Sequence, residues 1–389
     1  MIKHIKASNI LSFGPDGLDL ELKPLNVLIG ANGSGKSNFL ELIDLMRNSP
    51  KDIQEPIKRG GGAREWIWKG GDGIWPSVQL VLSSEVNELA VSHKISLEEL
   101  YHESIFGIFE EDITQISLNE DMYLYYYGPE GIGIAIKSGK DKKKIQKLDP
   151  RDVSRDSSVL SQRRDSLFFP ELSILSELYS SIRIYRDWNF GRNTSFRRPQ
   201  PSDQRTDRLE PDFSNLGLFL NRLRRDPKTK RELIKHLQHL YEGISDFEVN
   251  IVEGGYVQIL FTEGDFSIPA SRLSDGTLRY LCLLAILLDP NPPALICIEE
   301  PELGLHPDIL PHLTDLLVEA SERTQLIVTT HSQMIVDSLS DQPESVLVCE
   351  KHNGQTKIER LSKEKLGPWL EEYGLGTIWS KGEIGGNRW

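Results

Sequence analysis

Residues 30–37, Gly-Ala-Asn-Gly-Ser-Gly-Lys-Ser, fit the pattern G-x-x-x-x-G-K-[ST] in full. The chemistry such a run serves is phosphate binding. Glycines at 30, 33 and 35 admit backbone conformations closed to residues with a Cβ, and they let amide N–H groups approach phosphate oxygens. A helix starting near Lys36 aims its positive N-terminal end at the same oxygens. Lys36 can reach the β- and γ-phosphates, and the Ser37 hydroxyl can ligate Mg²⁺. Asn32, Ser34 and Asn38 complete the candidate contacts to the nucleotide. The plainer alternative is a glycine-rich turn that binds nothing. The apolar run Leu25–Ile29 before the loop, and the helical spacing of Phe39, Leu40, Leu42, Ile43 and Met46 after it, favour a nucleotide-triphosphate site.

A second set of chemically competent residues lies far downstream. Residues 294–300, Ala-Leu-Ile-Cys-Ile-Glu-Glu, read as a buried strand ending in two carboxylates. The carboxyl edge of a parallel sheet is where ligands of α/β proteins bind. Glu299 suits a magnesium ligand and Glu300 a polariser of the attacking water, with Glu302 a weaker candidate. The next strand-like run, 326–329, ends at His331, placed to contact a γ-phosphate or the lytic water. Ser274 and Gly276 sit at the start of an apolar helix, where a cap and free amides offer donors to an anion. Taken alone, that is only a capped helix.

The elements that must carry these residues alternate in the expected way. Strand–helix alternation over 275–345 implies a parallel sheet with helices packed on it. Residues 78–136 hold short β-like runs separated by turn residues, an antiparallel meander, and 346–361 reads as a closing hairpin. Residues 49–73, punctuated by glycines, read as loop, and so do the Arg-, Asn-, Ser- and Pro-rich residues 187–211. Helices are expected near 170–181, 215–225 and 227–241, and a hairpin over 247–261. Phe13, in turn-like sequence, suits either an adenine-stacking ring or a core residue.

With 389 residues, 38% hydrophobic and 26% charged, the chain suits a soluble protein with a substantial core. It lacks both an apolar run long enough to span a membrane and a leader-like N-terminus, so a cytoplasmic location with no membrane partner is expected. Three widely spaced cysteines read as buried thiols of a reducing compartment. The net charge of −13 argues against a uniformly DNA-attracting surface. Yet residues 137–164 carry ten Lys/Arg against four Asp, and residues 183–231 thirteen against six acidic residues. This basic middle could contact DNA or an acidic partner, or simply be a solvated insertion. Three regions follow: an N-terminal lobe 1–136, a basic, partly helical insertion 137–245, and a C-terminal lobe 246–389.

Gly30 to Ser37, then Leu273 to Thr277, then Ile296 to Pro301 and finally His331 occur in the order of an ABC-class ATPase head. They resemble its Walker A loop, signature, Walker B strand with catalytic glutamate, and switch histidine. Glu299-Glu300-Pro301-Glu302 with Gly304-Leu305-His306-Pro307 looks like the variant of prokaryotic RecF-like and OLD-like AAA-type ATPases. Leu11-Ser12-Phe13-Gly14 and the tail residues 369–376 and 381–386 resemble a stand-alone branch of that group. The resemblance implies an α/β fold: an ABC-type P-loop NTPase head with a mixed or parallel core sheet, an antiparallel β-meander and an inserted helical, basic segment. It also implies Mg²⁺-dependent ATP hydrolysis and a head-to-tail homodimer or higher homo-oligomer, with Ser274 and Gly276 of one copy covering ATP on Lys36 of the other. Two departures stand out: Glu299 replaces the more usual aspartate, and Asp275 occupies the signature's second glycine position. Only 58 residues follow His331, so any nuclease activity is expected from a separate effector protein. The roles implied are genome defence or DNA maintenance. The alternatives are an ATP-gated scaffold with little hydrolysis and a RecF-type repair clamp.

Overall fold

The computed structural model describes residues 1–71, 75–84, 89–99, 106–117, 121–137, 143–189, 191, 194, 197–370 and 372–386. The chain divides into two compact units, each assembled from separate stretches. Met1–Ile182, Glu344–Ser362 and Gly382–Trp389 make the first, and Arg183–Pro343 with Lys363–Lys381 the second.

The first unit contains an antiparallel sheet of eight strands. Their order is Leu18–Glu21, Ile2–Ser8, Ser77–Ser84, Leu89–Glu99, Phe106–Gln115, Met122–Gly128, Gly131–Lys137 and Lys143–Lys147. Along Ser77–Ser84 every second residue is buried, the period expected of a sheet with one face on a core. The sequence reading anticipates this meander but not two of its strands. Phe106–Gln115 carries Glu110, Glu111 and Asp112 in mid-strand, which breaks the apolar alternation. Lys143–Lys147 reads as a charge run, yet it forms the sheet's edge, where exposed lysines discourage further pairing.

The strand Leu25–Ile29 is buried at all five positions. It pairs in parallel with Val346–His352, which turns back to pair antiparallel with Gln355–Arg360. Residues 49–73, expected to be loop, contain the short helices Gln54–Arg59 and Ala63–Trp66. Their glycines mark helix ends: a Cβ on Gly60 would lie 2.5 Å from the indole nitrogen of the buried Trp66. Phe13 is wholly buried, which makes it a core residue and removes it as a base-stacking ring.

A buried polar cluster ties this unit together. His93 bonds Tyr179 Oη through Nδ1 at 3.0 Å and Glu111 through Nε2 at 3.1 Å. Glu111 also accepts from the Ser158 hydroxyl and the Val159 amide. His93 and the Ser158–Val159 turn thus meet on one carboxylate, with Tyr179 joined to it through His93. Glu111→Ala strands the groups that donate to it, and a loss of about 3–5 kcal/mol in unfolding free energy is expected, read from the urea midpoint.

In the second unit Arg183–Tyr185, Leu295–Glu299 and Gln325–Thr329 pair in parallel. An antiparallel sheet pairs Ile244–Val252 with Tyr256–Glu263, flanked by Gln200–Pro201 and Phe266–Pro269. The helix Asp275–Leu287 is buried from Thr277 onward, as its nearly unbroken apolar sequence requires. Helices Leu216–Leu223 and Pro227–Leu240 lie close to the expected spans, and Leu310–Ser321 is a further helix of the strand–helix alternation.

All three cysteines are buried thiols outside any disulfide. Among the described residues no helix is long and apolar enough to cross a membrane. Residues 138–142 of the first basic window, and 190, 192, 193, 195 and 196 of the second, lie outside the described residues. So do Glu371 and the tail residues 387–389. Much of the described charge in the second window is paired internally: Arg197 with Asp275, Arg205 with Asp207, Arg208 with Glu210, Arg222 with Asp289, and Lys230 with Asp246.

Candidate functional site

The phosphate-loop residues belong to the first unit. Leu25–Ile29 delivers the chain into the loop, and Lys36–Arg47 is the helix that leaves it. Gly30, Gly33 and Gly35 have φ of 151°, 78° and 105°. A Cβ on Gly30 would meet the Cys349 carbonyl oxygen at 2.3 Å, and one on Gly35 the Thr356 hydroxyl at 2.2 Å. At Gly33 the same Cβ would meet nothing within 4 Å. The loop is therefore pressed against protein behind it and open at its middle glycine.

Thr356 is the brace, and sequence reasoning missed it. Its hydroxyl donates to the Ser34 carbonyl at 2.9 Å and bonds the Ser12 hydroxyl at 2.7 Å, while its amide donates to the Ser12 carbonyl. The Lys36 amine is drawn into the loop, donating to the carbonyls of Gly30 at 2.8 Å and Ala31 at 3.1 Å. Only 6% of Lys36 is exposed. Among the described residues the buried Ser34 hydroxyl has no hydrogen-bond partner, an orphaned polar atom in a loop shaped for anions. Asn32 and Ser37 are exposed, and Asn38 is half-buried at the helix start. Two glycines with no room for a side chain, Gly30 and Gly35, an inward amine and an unsatisfied hydroxyl together fit a polyphosphate. Cys349 is no rival nucleophile here: burial pushes its thiol up to about 12, although the Lys36 charge acts in the opposite direction.

The carboxylates and the histidine belong to the second unit. Glu299 ends its strand opposite Thr329 of the neighbouring strand, half-buried. Its carboxylate lies 3.9 Å from Arg186 Nε, and its carbonyl accepts from the Trp188 indole N–H at 2.6 Å. Glu300 has φ of +47°, a left-handed conformation that costs a non-glycine residue roughly 1–3 kcal/mol and persists only where neighbours enforce it. Its amide donates to the Thr329 carbonyl at 2.9 Å, and its carbonyl accepts from Arg279 Nη2 at 2.8 Å. The Glu300 carboxylate reaches His331 Nε2 at 3.5 Å.

Glu302 ties the two strand ends together. One of its oxygens accepts from the Thr330 hydroxyl and the His331 amide, each at 2.7 Å, while the other is buried and has no partner among the described residues. Burial raises its pKa above the usual carboxylate value, against the lowering effect of those two donors. Glu302 thus positions His331 from beneath. Among the described residues no group of three metal-type ligands occurs. Mg²⁺ takes one or two protein oxygens beside phosphate oxygens and water, and the Glu299 carboxylate of the second unit and the Ser37 hydroxyl of the first are each oxygen donors of that kind.

Ser274 caps the helix Asp275–Leu287, its Oγ accepting from the Thr277 amide at 3.0 Å. A Cβ on Gly276 would meet the Gly304 carbonyl oxygen at 2.8 Å. Asp275 is neutralised by Arg197, whose guanidinium also donates to the Leu273 carbonyl at 2.7 Å. Arg186, Trp188, Arg197 and Arg279 escaped the sequence reading. For Arg279 a signal existed: a single cation within an otherwise apolar helix.

A family model described as "AAA domain, putative AbiEii toxin, Type IV TA system" matches residues 25–337. The Old nuclease of Escherichia phage P2 is 21% identical over 380 residues, covering 88% of this chain; the chain spans 58% of that protein's length. Two crystal structures resemble the chain at 15% identity. One, the SmcHead bound to the C-winged helix domain of ScpA, has a TM-score of 0.58 and covers 94% of this chain and 99% of its own. The other is the Smc head domain with an extended coiled coil bound to the C-terminal domain of ScpA, derived from Pyrococcus furiosus. Its TM-score is 0.57, with 95% and 98% covered. At such identities the likeness is one of fold: an SMC-head, ABC ATPase-like α/β architecture with mixed sheets, an antiparallel meander and helices.

Proposed function

The chain belongs to the family described as "AAA domain, putative AbiEii toxin, Type IV TA system", a family of P-loop NTPases, and from that premise we propose that it is a cytoplasmic Mg²⁺-dependent ATPase. Lys36, the amides of residues 30–37 and the side chains of Asn32, Ser34 and Asn38 bind the phosphates. Ser37 and Glu299 would hold Mg²⁺, which would supply charge neutralisation for the bound phosphates. Glu300 orients water and His331 contacts the water or the γ-phosphate. The water oxygen bonds to the γ-phosphorus as its bond to the β–γ bridging oxygen breaks; ADP leaves with that electron pair. The water proton passes to Glu300 and then to phosphate or solvent.

The observation that carries this reading is the loop itself, with its inward Lys36, orphaned Ser34 hydroxyl and open Gly33. Closure of a homodimer, with Ser274 and Gly276 facing the nucleotide of the other copy, would couple the cycle to a partner effector or a nucleic-acid transaction in genome defence or DNA maintenance. The likeness to a phage nuclease supports the nucleic-acid side, and the Smc heads solved with ScpA domains support the protein-partner side. Calorimetry with Mg-ATP, followed by steady-state phosphate release with and without DNA, tests the proposal. Binding and turnover are expected. Binding without turnover would identify an ATP-gated scaffold, and no heat of binding would end the reading.

A further inference from the structure

We propose that Trp188 and Arg279 form a positioning pair that holds the 299–300 backbone in the conformation from which Glu300 acts. The inference rests on the ATPase reading above. Two successive carbonyls leave the end of the carboxylate strand, and each has one donor from this pair. The Trp188 indole N–H bonds the Glu299 carbonyl at 2.6 Å, and Arg279 Nη2 bonds the Glu300 carbonyl at 2.8 Å.

The two donors are themselves joined, because the Arg279 guanidinium lies over the Trp188 ring, 4.5 Å from its centroid. The indole also stacks on Phe213 at 5.3 Å and 23°, and Phe213 stacks on Tyr185 at 5.8 Å. A column of planar groups therefore fixes where both donors point. Planar stacking and directed N–H groups are what arginine provides and lysine does not. Arg279 is buried, and although burial lowers its pKa to about 10 it stays charged at neutral pH.

The grip falls on the residue that needs it. Glu300 is left-handed without being glycine, and its amide is held by the Thr329 carbonyl. With donor and acceptor both engaged, the backbone around Glu300 cannot turn without breaking one of those bonds. Its carboxylate is thereby kept within 3.5 Å of His331. Neither Trp188 nor Arg279 is asked to touch the reacting atoms.

Trp188→Phe keeps the stack and removes one N–H; Arg279→Lys keeps the charge and removes the planar fork. Each is expected to lower kcat about tenfold or more, since small misplacement of a reacting group is costly. The Kd for ATP measured without Mg²⁺ should stay within about twofold, because the phosphate contacts are assigned to residues 30–37 and not to the 299–300 segment. The decisive readout is non-additivity. In a Glu300→Gln background the same substitutions should cause little further loss, because there they act through a residue already disabled. Unchanged kcat, a parallel loss of ATP affinity, or a full multiplicative loss in the Glu300→Gln background would each overturn the proposal. Should Trp188→Phe fail to fold, Arg279→Lys carries the same test. If Glu300→Gln turns over normally, the catalytic assignment fails and this role with it. If Glu300→Gln is slow while both pair variants are not, only the positioning role fails.

Discussion

Lys36→Met is expected to weaken Mg-ATP binding by at least about tenfold and to bring phosphate release to background. Hydrogen bonds to charged groups contribute about 1.5–3 kcal/mol, which spans roughly one to two decades in Kd. The geometry makes the upper part of that range the better expectation. The amine is already desolvated and drawn into the loop by the Gly30 and Ala31 carbonyls, so little ordering is left for the nucleotide to impose. Removing the ammonium also leaves two carbonyl oxygens without the cation that offsets them beside a polyanion. Methionine keeps the stem's length, so the melting temperature should change little while the calorimetric titration flattens. A titration matching the unaltered protein would dismiss Lys36 as a phosphate ligand.

Glu300→Gln should separate binding from turnover. An amide has the size of the carboxylate but cannot take a proton from water, and loss of a positioned general base typically costs 10²–10⁴ in rate. Hydrolysis is expected to slow about a hundredfold with Kd for Mg-ATP unchanged. The substitution leaves the local frame alone: the contacts to Thr329 and Arg279 use the Glu300 amide and carbonyl, not its side chain. The neighbouring histidine can still hydrogen-bond the new amide. Single-turnover and steady-state phosphate release decide the matter, and a rate within threefold of the unaltered protein would remove Glu300 from the mechanism.

These two expectations draw on the part of the molecule that sequence describes best. The phosphate loop is a local device: strand, glycines, lysine and helix start are contiguous, and nothing distant is needed to recognise them. The carboxylate strand was legible for the same reason, as a short apolar run closed by Glu299 and Glu300. What holds these pieces in place was not legible. Thr356 reaches Ser34 from 322 positions away, and Trp188 reaches the Glu299 carbonyl from 111. Phe106–Gln115 hid behind its charges because Glu111 is compensated by His93, a partner visible only once two strands are in register. Glycines that read as loop in residues 49–73 instead end two short helices, one of them making room for Trp66.

The arginine-rich segment teaches a related lesson. Counted as charge, residues 183–231 look like a nucleic-acid surface. In the fold, Arg186 lies beside the Glu299 carboxylate, Arg197 grips the signature-like turn, and Arg222 answers Asp289. Neutralising these arginines would loosen the second unit as well as any DNA contact. The slope of DNA affinity against salt is therefore the sounder measure of phosphate contacts than wholesale mutation of the segment.

The brace behind the phosphate loop also has a bearing on biosynthesis. Leu25–Ile29 emerges from the ribosome well before its parallel neighbour Val346–His352, and the threonine that braces Ser34 follows that serine by 322 positions. A nascent chain thus displays the glycine-rich motif long before anything supports it. Nucleotide capture should begin only once that later stretch has been made and has paired with the strand before the loop, which keeps shorter nascent polypeptides from engaging ATP.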